Sequence, residues 1–193
     1  MDTSENKSLL KERQLFIMSA AKTCFSRSGF HGASMADISR ESGLGAGQLY
    51  RYFHSKELLV NETIKSIIQH WCKFLKNSFS KHMSIEDIID ANSDFWKGWS
   101  SRDRCLLLEV YSEASRNKFL RDMLMQEEQS LIAELELLFQ KVMPASSSQQ
   151  RTNRIHFLLM LVDGVACRTF GDKNVDQQEL TRLNGILTRH LLS

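Results

Sequence analysis

Proline is almost absent: the chain has a single one, Pro144, among 193 residues. Nothing therefore interrupts helices from within, and with few β-branched alternations the expected architecture is long helices joined by short turns. Cysteine pairs are missing as well. Cys24, Cys72, Cys105 and Cys167 form no Cys-x-x-Cys motif, and none has a histidine three or four residues on. That spacing signals neither a zinc site nor a redox dithiol and leaves reduced, buried thiols. Long apolar runs are also lacking. The longest, Phe157 to Val162, is far too short to cross a bilayer, and the polar start MDTSENKSLLKER has no signal-peptide core, so a cytoplasmic protein without a membrane segment is expected. No nucleotide loop, Gly-x-Ser-x-Gly elbow or metal-ligand spacing occurs, and the scattered histidines His31, His82 and His156 suggest no triad. An enzyme is not expected, nor a cofactor or a metal.

What charge excess there is sits at one end. The net charge is +2; residues 1–60 hold eight Lys/Arg and six Asp/Glu, and the remainder holds seventeen of each. A duplex nucleic acid attracts such a local basic excess whatever the rest of the molecule carries.

Glycine is scarce but clustered. Of nine glycines, Gly43, Gly45 and Gly47 fall within five positions, inside GLGAGQLYRYFHSKELL. Ahead of them, Ile17, Ala20, Ala21, Cys24 and Phe25 recur at helical spacing and predict a helix over 9–28 that Gly29 stops. Ser34 is placed to cap a second helix through the amides of Ala36 or Asp37, with Met35 and Ile38 on its apolar face, and Gly43 ends it. A third helix, Ala46 to Tyr52, is too short to be stable alone. Ser55 caps a fourth, running to about Ser80 on Leu59, Ile64, Ile67, Ile68, Trp71, Leu75 and Phe79. Further helices are predicted over 84–100, 104–115, 118–141, 148–170 and 176–192, with MPASSSQQ as a loop. The fold class is all-α, with about nine helices.

Two short helices joined by a glycine turn make a helix-turn-helix, whose second helix lies in the DNA major groove. Leu44 is expected to anchor the turn in the core. Leu49 and Phe53, four apart, pin the third helix to Ile38 and Phe25 and leave Gln48, Tyr50, Arg51 and Tyr52 outward. Gln48 suits an adenine edge; the others suit phosphates or base edges. Gly45 and Gly47 leave the helix start bare, so that backbone amides can approach a phosphate. Lys56 adds positive charge at the start of the fourth helix. A glycine turn with a Tyr-x-Tyr-Phe run is also compatible with an ordinary core.

The stretch Ile17 to Leu59 closely resembles the N-terminal domain of the TetR family of bacterial transcriptional repressors. The matches are Ala20, Ala21, Phe25, Gly29, Phe30, Ser34, Met35, Ile38, Gly43, Leu44, Gly47, Leu49, Tyr50, Tyr52, Phe53, Lys56 and Leu59. Departures are Ala46, where the family often has a polar residue, Gly45 for a usual serine, Ala33 for threonine and Ser39 for alanine. The resemblance implies a three-helix DNA-binding head over 1–54 that contacts double-stranded operator DNA through Ser34, Gly45, Ala46, Gly47, Gln48, Tyr50, Arg51, Tyr52 and Lys56. It further implies a larger helical domain over 55–193 that binds a small-molecule effector and forms a homodimer through its last two helices. The function so implied is a homodimeric repressor released from a palindromic operator by its effector; a helical protein-interaction module of the same fold without operator binding is the alternative.

Residues in the second domain are compatible with both roles. RIHFLLMLVDGVACRTF is apolar over nearly its whole circumference, as a helix between its own domain and a partner would be. Ile155, Leu158, Leu159, Val162, Gly164, Leu183 and Leu187 are the candidate dimer contacts. Trp71, Phe74, Asn92, Phe95, Trp96, Trp99 and Tyr111 are candidates to line an effector pocket, though for any single one of them packing as core is the more common role. Glu109 and Glu113, with Glu127 and Glu128 also near apolar stripes, would favour a flat or cationic effector.

Overall fold

The computed structural model describes residues 3–81, 84–90, 93–168 and, nearer the C-terminus, 178–179, 182–183, 185–186 and 189. The described chain is all helical: α1 (Thr3–Gly32), α2 (Met35–Ser42), α3 (Ala46–Tyr52), α4 (Lys56–Lys81), α5 (Ile85–Ile89), a 3-10 turn over Asp94–Trp96, α6 (Ser101–Ala114), α7 (Lys118–Val142) and α8 (Ser148–Arg168). The described residues between 178 and 189 are helical too. None of the helices described is long and apolar enough to cross a membrane. Two compact units divide the chain, one of residues 1–70 with 101–123, the other of 71–100 with 124–193. Both α4 and α7 contribute to each.

In the first unit α1 packs on α2, α3 and α6. Its core is Ile17, Ala21, Phe25, Phe30, Ile38, Leu49, Phe53, Leu59, Leu106 and Val110, all nearly or fully excluded from water. Phe25 and Phe30 meet edge to face at 5.2 Å. Helix α1 starts earlier than the apolar pattern alone predicts; no proline or glycine stands before Leu9 to stop it. Near its other end Gly29 breaks the helix at φ 70, ψ 170, a conformation open essentially to glycine alone. A Cβ on Gly29 would also stand 3.2 Å from the Glu109 carboxylate of α6.

The second unit is built on rings. Trp71 and Phe74 of α4 stack at 5.7 Å, Trp99 lies 4.6 Å from Trp71 and 5.1 Å from Phe74, and Phe95 sits edge-on to Phe74, Phe79 and Trp96. The Trp96 indole donates to the Ile88 carbonyl at 2.8 Å, and Ser78 Oγ donates to that of Phe95 at 3.2 Å. The single helix expected over 84–100 is not formed. Helix α5 ends after one turn and the 3-10 turn follows. Ser93 accounts for the break: its amide bonds the Asp90 carbonyl at 2.9 Å and its hydroxyl bonds that of Asp87, in competition with the helical ladder. Of the MPASSSQQ stretch, expected to be a loop, only 143–147 are one and 148–150 already open α8; the buried Arg151 ties the loop down through the Ser146 carbonyl and, at 2.9 Å, bonds Glu136.

Substituting Gly29 by alanine is expected to lower the urea midpoint, by about 1–3 kcal/mol of stability, and by more than Gly43→Ala does, because Gly43 also has positive φ but nothing near its absent side chain. Equal midpoints for the two variants would contradict this account of the α1 break.

Candidate nucleic-acid interface

The helix-turn-helix is assembled from local signals. Ser34 caps α2: its hydroxyl accepts from the Asp37 amide at 3.1 Å while the Asp37 carboxylate accepts from the Ser34 amide at 2.9 Å. These hydrogen bonds from Ser34, with Arg40 beside it, hold the Asp37 carboxyl below the usual carboxylate range. The cap is therefore complete at and above that range and is lost as pH falls through the lowered value. Gly43 closes α2 in the left-handed region, φ 68 and ψ 10. Ser39 then donates its hydroxyl to the Leu44 carbonyl, and the Leu44 amide donates to Ser42 Oγ at 3.3 Å. Ser39, a departure from the family pattern, thus secures the turn. Leu44 itself is only half-buried, so the turn is held by these hydrogen bonds more than by the apolar anchor expected there.

Helix α3 occupies Ala46–Tyr52, the span predicted. Leu49 is wholly buried and Phe53, just past the helix end, is 2% exposed, while Tyr50 is 47% exposed. Gln48 and Arg51 are exposed as well, and Tyr52 is half-buried. Gln48 Oε1 accepts from the Gly45 amide at 3.3 Å, covering one of the open amides at the helix start. Gly45, Ala46 and Gly47 are exposed, and a Cβ on either glycine would meet nothing within 4 Å. Gly45 has an ordinary φ of −62. Neither backbone strain nor crowding within the chain thus demands glycine at 45 or 47.

Lys56 is half-buried, and its amine donates to the His31 carbonyl at 2.8 Å, joining the start of α4 to the end of α1. His31 in turn pairs with Glu113 at 2.9 Å. Sequence reasoning missed His31 and also Lys22, which bonds Ser66 at 3.0 Å and whose amine is pushed down by burial against the opposing effect of Asp103. Both pairings join residues more than forty positions apart, and no local pattern announces them.

Of the candidate effector residues, Trp71, Phe74, Phe95, Trp96 and Trp99 come together as the buried ring cluster of the second unit. Asn92 lies outside the described residues. Glu109, Tyr111 and Glu113 are on α6 and belong to the first unit, where Glu109 covers Gly29 and Glu113 holds His31. Three further acidic residues, Glu127, Glu128 and Asp163, belong to the ring-bearing unit, and the Cys72 thiol is pushed up to about 12, first by burial and then by the charge of those carboxylates. Of the candidate dimer residues, Ile155, Leu158, Leu159 and Val162 are buried within their own unit. Gly164 is exposed on α8 near Met160, 64% exposed, and Leu183 is 43% exposed; Leu187 lies outside the described residues.

Residues 17–63 match the family model described as bacterial regulatory proteins, tetR family. The chain is 30% identical over 166 residues to the HTH-type transcriptional regulator BetI of Vibrio vulnificus (strain YJ016), covering 82% of this chain and 81% of that one. Among solved structures, Salmonella enterica GusR is similar at a TM-score of 0.72 and 26% identity, over 93% of this chain and 94% of its own. A transcriptional-regulator structure from Saccharomonospora viridis in complex with choline has the same fold, with a TM-score of 0.67 at 14% identity, over 93% and 97%.

With its thiol protonated far above neutral pH, Cys72 is expected to react with iodoacetamide at pH 8 much more slowly in the folded chain than in urea, as read by mass spectrometry. Labelling at the unfolded rate would remove the burial and the acidic surroundings assigned to it.

Proposed function

The chain belongs to the TetR family of bacterial regulatory proteins, whose members are DNA-binding transcriptional regulators, and from that premise we propose that it is a homodimeric repressor released from a palindromic operator by a small-molecule effector. The observation that carries the reading is the outward face of α3. Leu49 is buried beneath it, and Gln48, Tyr50 and Arg51 point to solvent behind two glycines that the chain's own packing does not require. Bare positions there let duplex DNA come close to the backbone, and the exposed side chains supply one amide for a base edge and one guanidinium for a phosphate or a guanine. Ser34, Tyr52 and Lys56 complete the DNA-facing set, with Lys56 both holding the head together and lending it charge.

In this reading residues 1–54 are the DNA-binding head and 55–193 the effector and dimerisation domain. The exposed side of α8, with Met160 and Gly164, and the exposed Leu183 and Ile186 supply apolar surface for a second copy. A two-fold pair sets two recognition helices about 34 Å apart, one turn of the duplex. The ring cluster of Trp71, Phe74, Trp96 and Trp99, in the same unit as Glu127, Glu128 and Asp163, favours an aromatic or cationic effector. The Saccharomonospora viridis protein, of the same fold, is in complex with choline, a cation. Helix α4 carries Lys56 at its start and Trp71 in its second half, and is the element through which effector binding acts on the head. A coupling of about 1–3 kcal/mol suffices for such a switch.

Gel shifts against the DNA upstream of its own gene test the reading. Gln48→Ala is expected to narrow the gap between operator and unrelated duplex by about 1–3 kcal/mol. Arg51→Ala is expected to weaken binding to every duplex and to flatten the salt slope by about one. If both variants bind as the parent does, α3 is not in the interface.

A further inference from the structure

A cleft of about 390 Å³ lies wholly within the first unit, between the end of α1, the start of α4 and the junction of α6 with α7. Its volume falls at the low end of small-molecule pockets, roughly 300–1,000 Å³. The floor is apolar: Phe30 and Leu120 are each 1% exposed, with Val60 beside them. Its charges are of both signs. The Lys56 amine and the Glu113 carboxylate are held at opposite ends of one residue, the first on the His31 carbonyl at 2.8 Å, the second on the His31 ring at 2.9 Å. A cation and an anion therefore stand at a spacing that one histidine sets, and each keeps capacity for a further partner: Lys56 has two more N–H groups, and Glu113, whose Oε2 also meets Arg116 at 3.6 Å, keeps the lone pairs of Oε1. Glu57 and the amides of Asn61 and Asn117 also open on the cleft. Asn117 spends its carbonyl oxygen on the Phe119 and Leu120 amides, which leaves its N–H groups for a ligand.

A ligand with one charge would satisfy one side of this arrangement and strip water from the other without replacing it, which is costly for a partly buried charge. We propose that the cleft binds a small zwitterion, a free α-amino acid with an apolar side chain. Its ammonium lies on Glu113 and Glu57, its carboxylate on Lys56 and Asn61, and its side chain on Phe30, Val60 and Leu120. The site is distinct from the effector region of the second unit and does not depend on operator recognition. Because its walls are the end of α1 and the start of α4, occupancy makes the head more rigid.

Calorimetric titration of the full chain with L-leucine, N-acetyl-L-leucine and L-leucine methyl ester tests the assignment. L-leucine is expected to bind at least about tenfold more tightly than either derivative, since each lacks one charge. Val60→Trp, which fills the cleft, is expected to abolish L-leucine binding while operator binding in a parallel gel shift persists. Glu113→Gln is expected to bring L-leucine down to the level of the acetylated compound. Equal affinity for either derivative, no binding of L-leucine to the parent, or L-leucine binding that survives Val60→Trp would each overturn the proposal. Loss of operator binding by the parent protein would instead bear only on the repressor reading.

Discussion

Burial of Leu49 is the interaction on which the candidate interface depends. Helix α3 has seven residues, too few to be stable in isolation. Its position is fixed from below, where Leu49 enters the core that includes Phe25 and Ile38, and Phe53 closes its end. Burial of one such side chain contributes roughly 1.5–3 kcal/mol, and tertiary packing of this kind is what holds so short a helix. The same contact fixes which side chains face outward, because residues one position before and after Leu49 lie about 100° around the helix from it. Gln48 and Tyr50 are exposed because Leu49 is not.

A second constraint runs along α6, which packs on α1 inside the same unit. Its carboxylates meet α1 repeatedly: Asp103 near Lys22, Glu109 over Gly29, Glu113 on His31. These contacts place the end of α1, and with it the Lys56 anchor of α4, in register with α6. The compact unit that holds the helix-turn-helix also takes in residues 101–123. The polar contacts hold direction, while the apolar core beneath them supplies the larger share of stability, since exposed ion pairs contribute little.

The parts legible in the sequence are those with local causes. The Ser34 cap, the Gly43 turn and the span of α3 are each set by residues within a few positions of one another, and the sequence pattern predicts all three. The family resemblance rests on the same residues, and belongs to the same local layer. The fifth predicted helix failed because Ser93 and the rings that follow compete with a ladder that spacing alone favours. Long-range partners are not legible: nothing in the order of residues shows that Lys56 bonds the backbone of His31, that Glu109 covers Gly29, or that Glu113 pairs with His31. The departure at Ser39 illustrates the limit, since its hydroxyl does useful work on the Leu44 carbonyl that only the turn's geometry makes visible.

Hydroxyl-radical footprinting of the purified protein on the DNA upstream of its own gene tests the central claim most directly, because it reports where on the duplex the buried-Leu49 helix is presented. Two symmetric protected patches whose centres lie about one helical turn, or a whole multiple of it, apart are the predicted result. A uniform or single patch, or protection that persists when Tyr50 and Gln48 are both replaced by alanine, would contradict it.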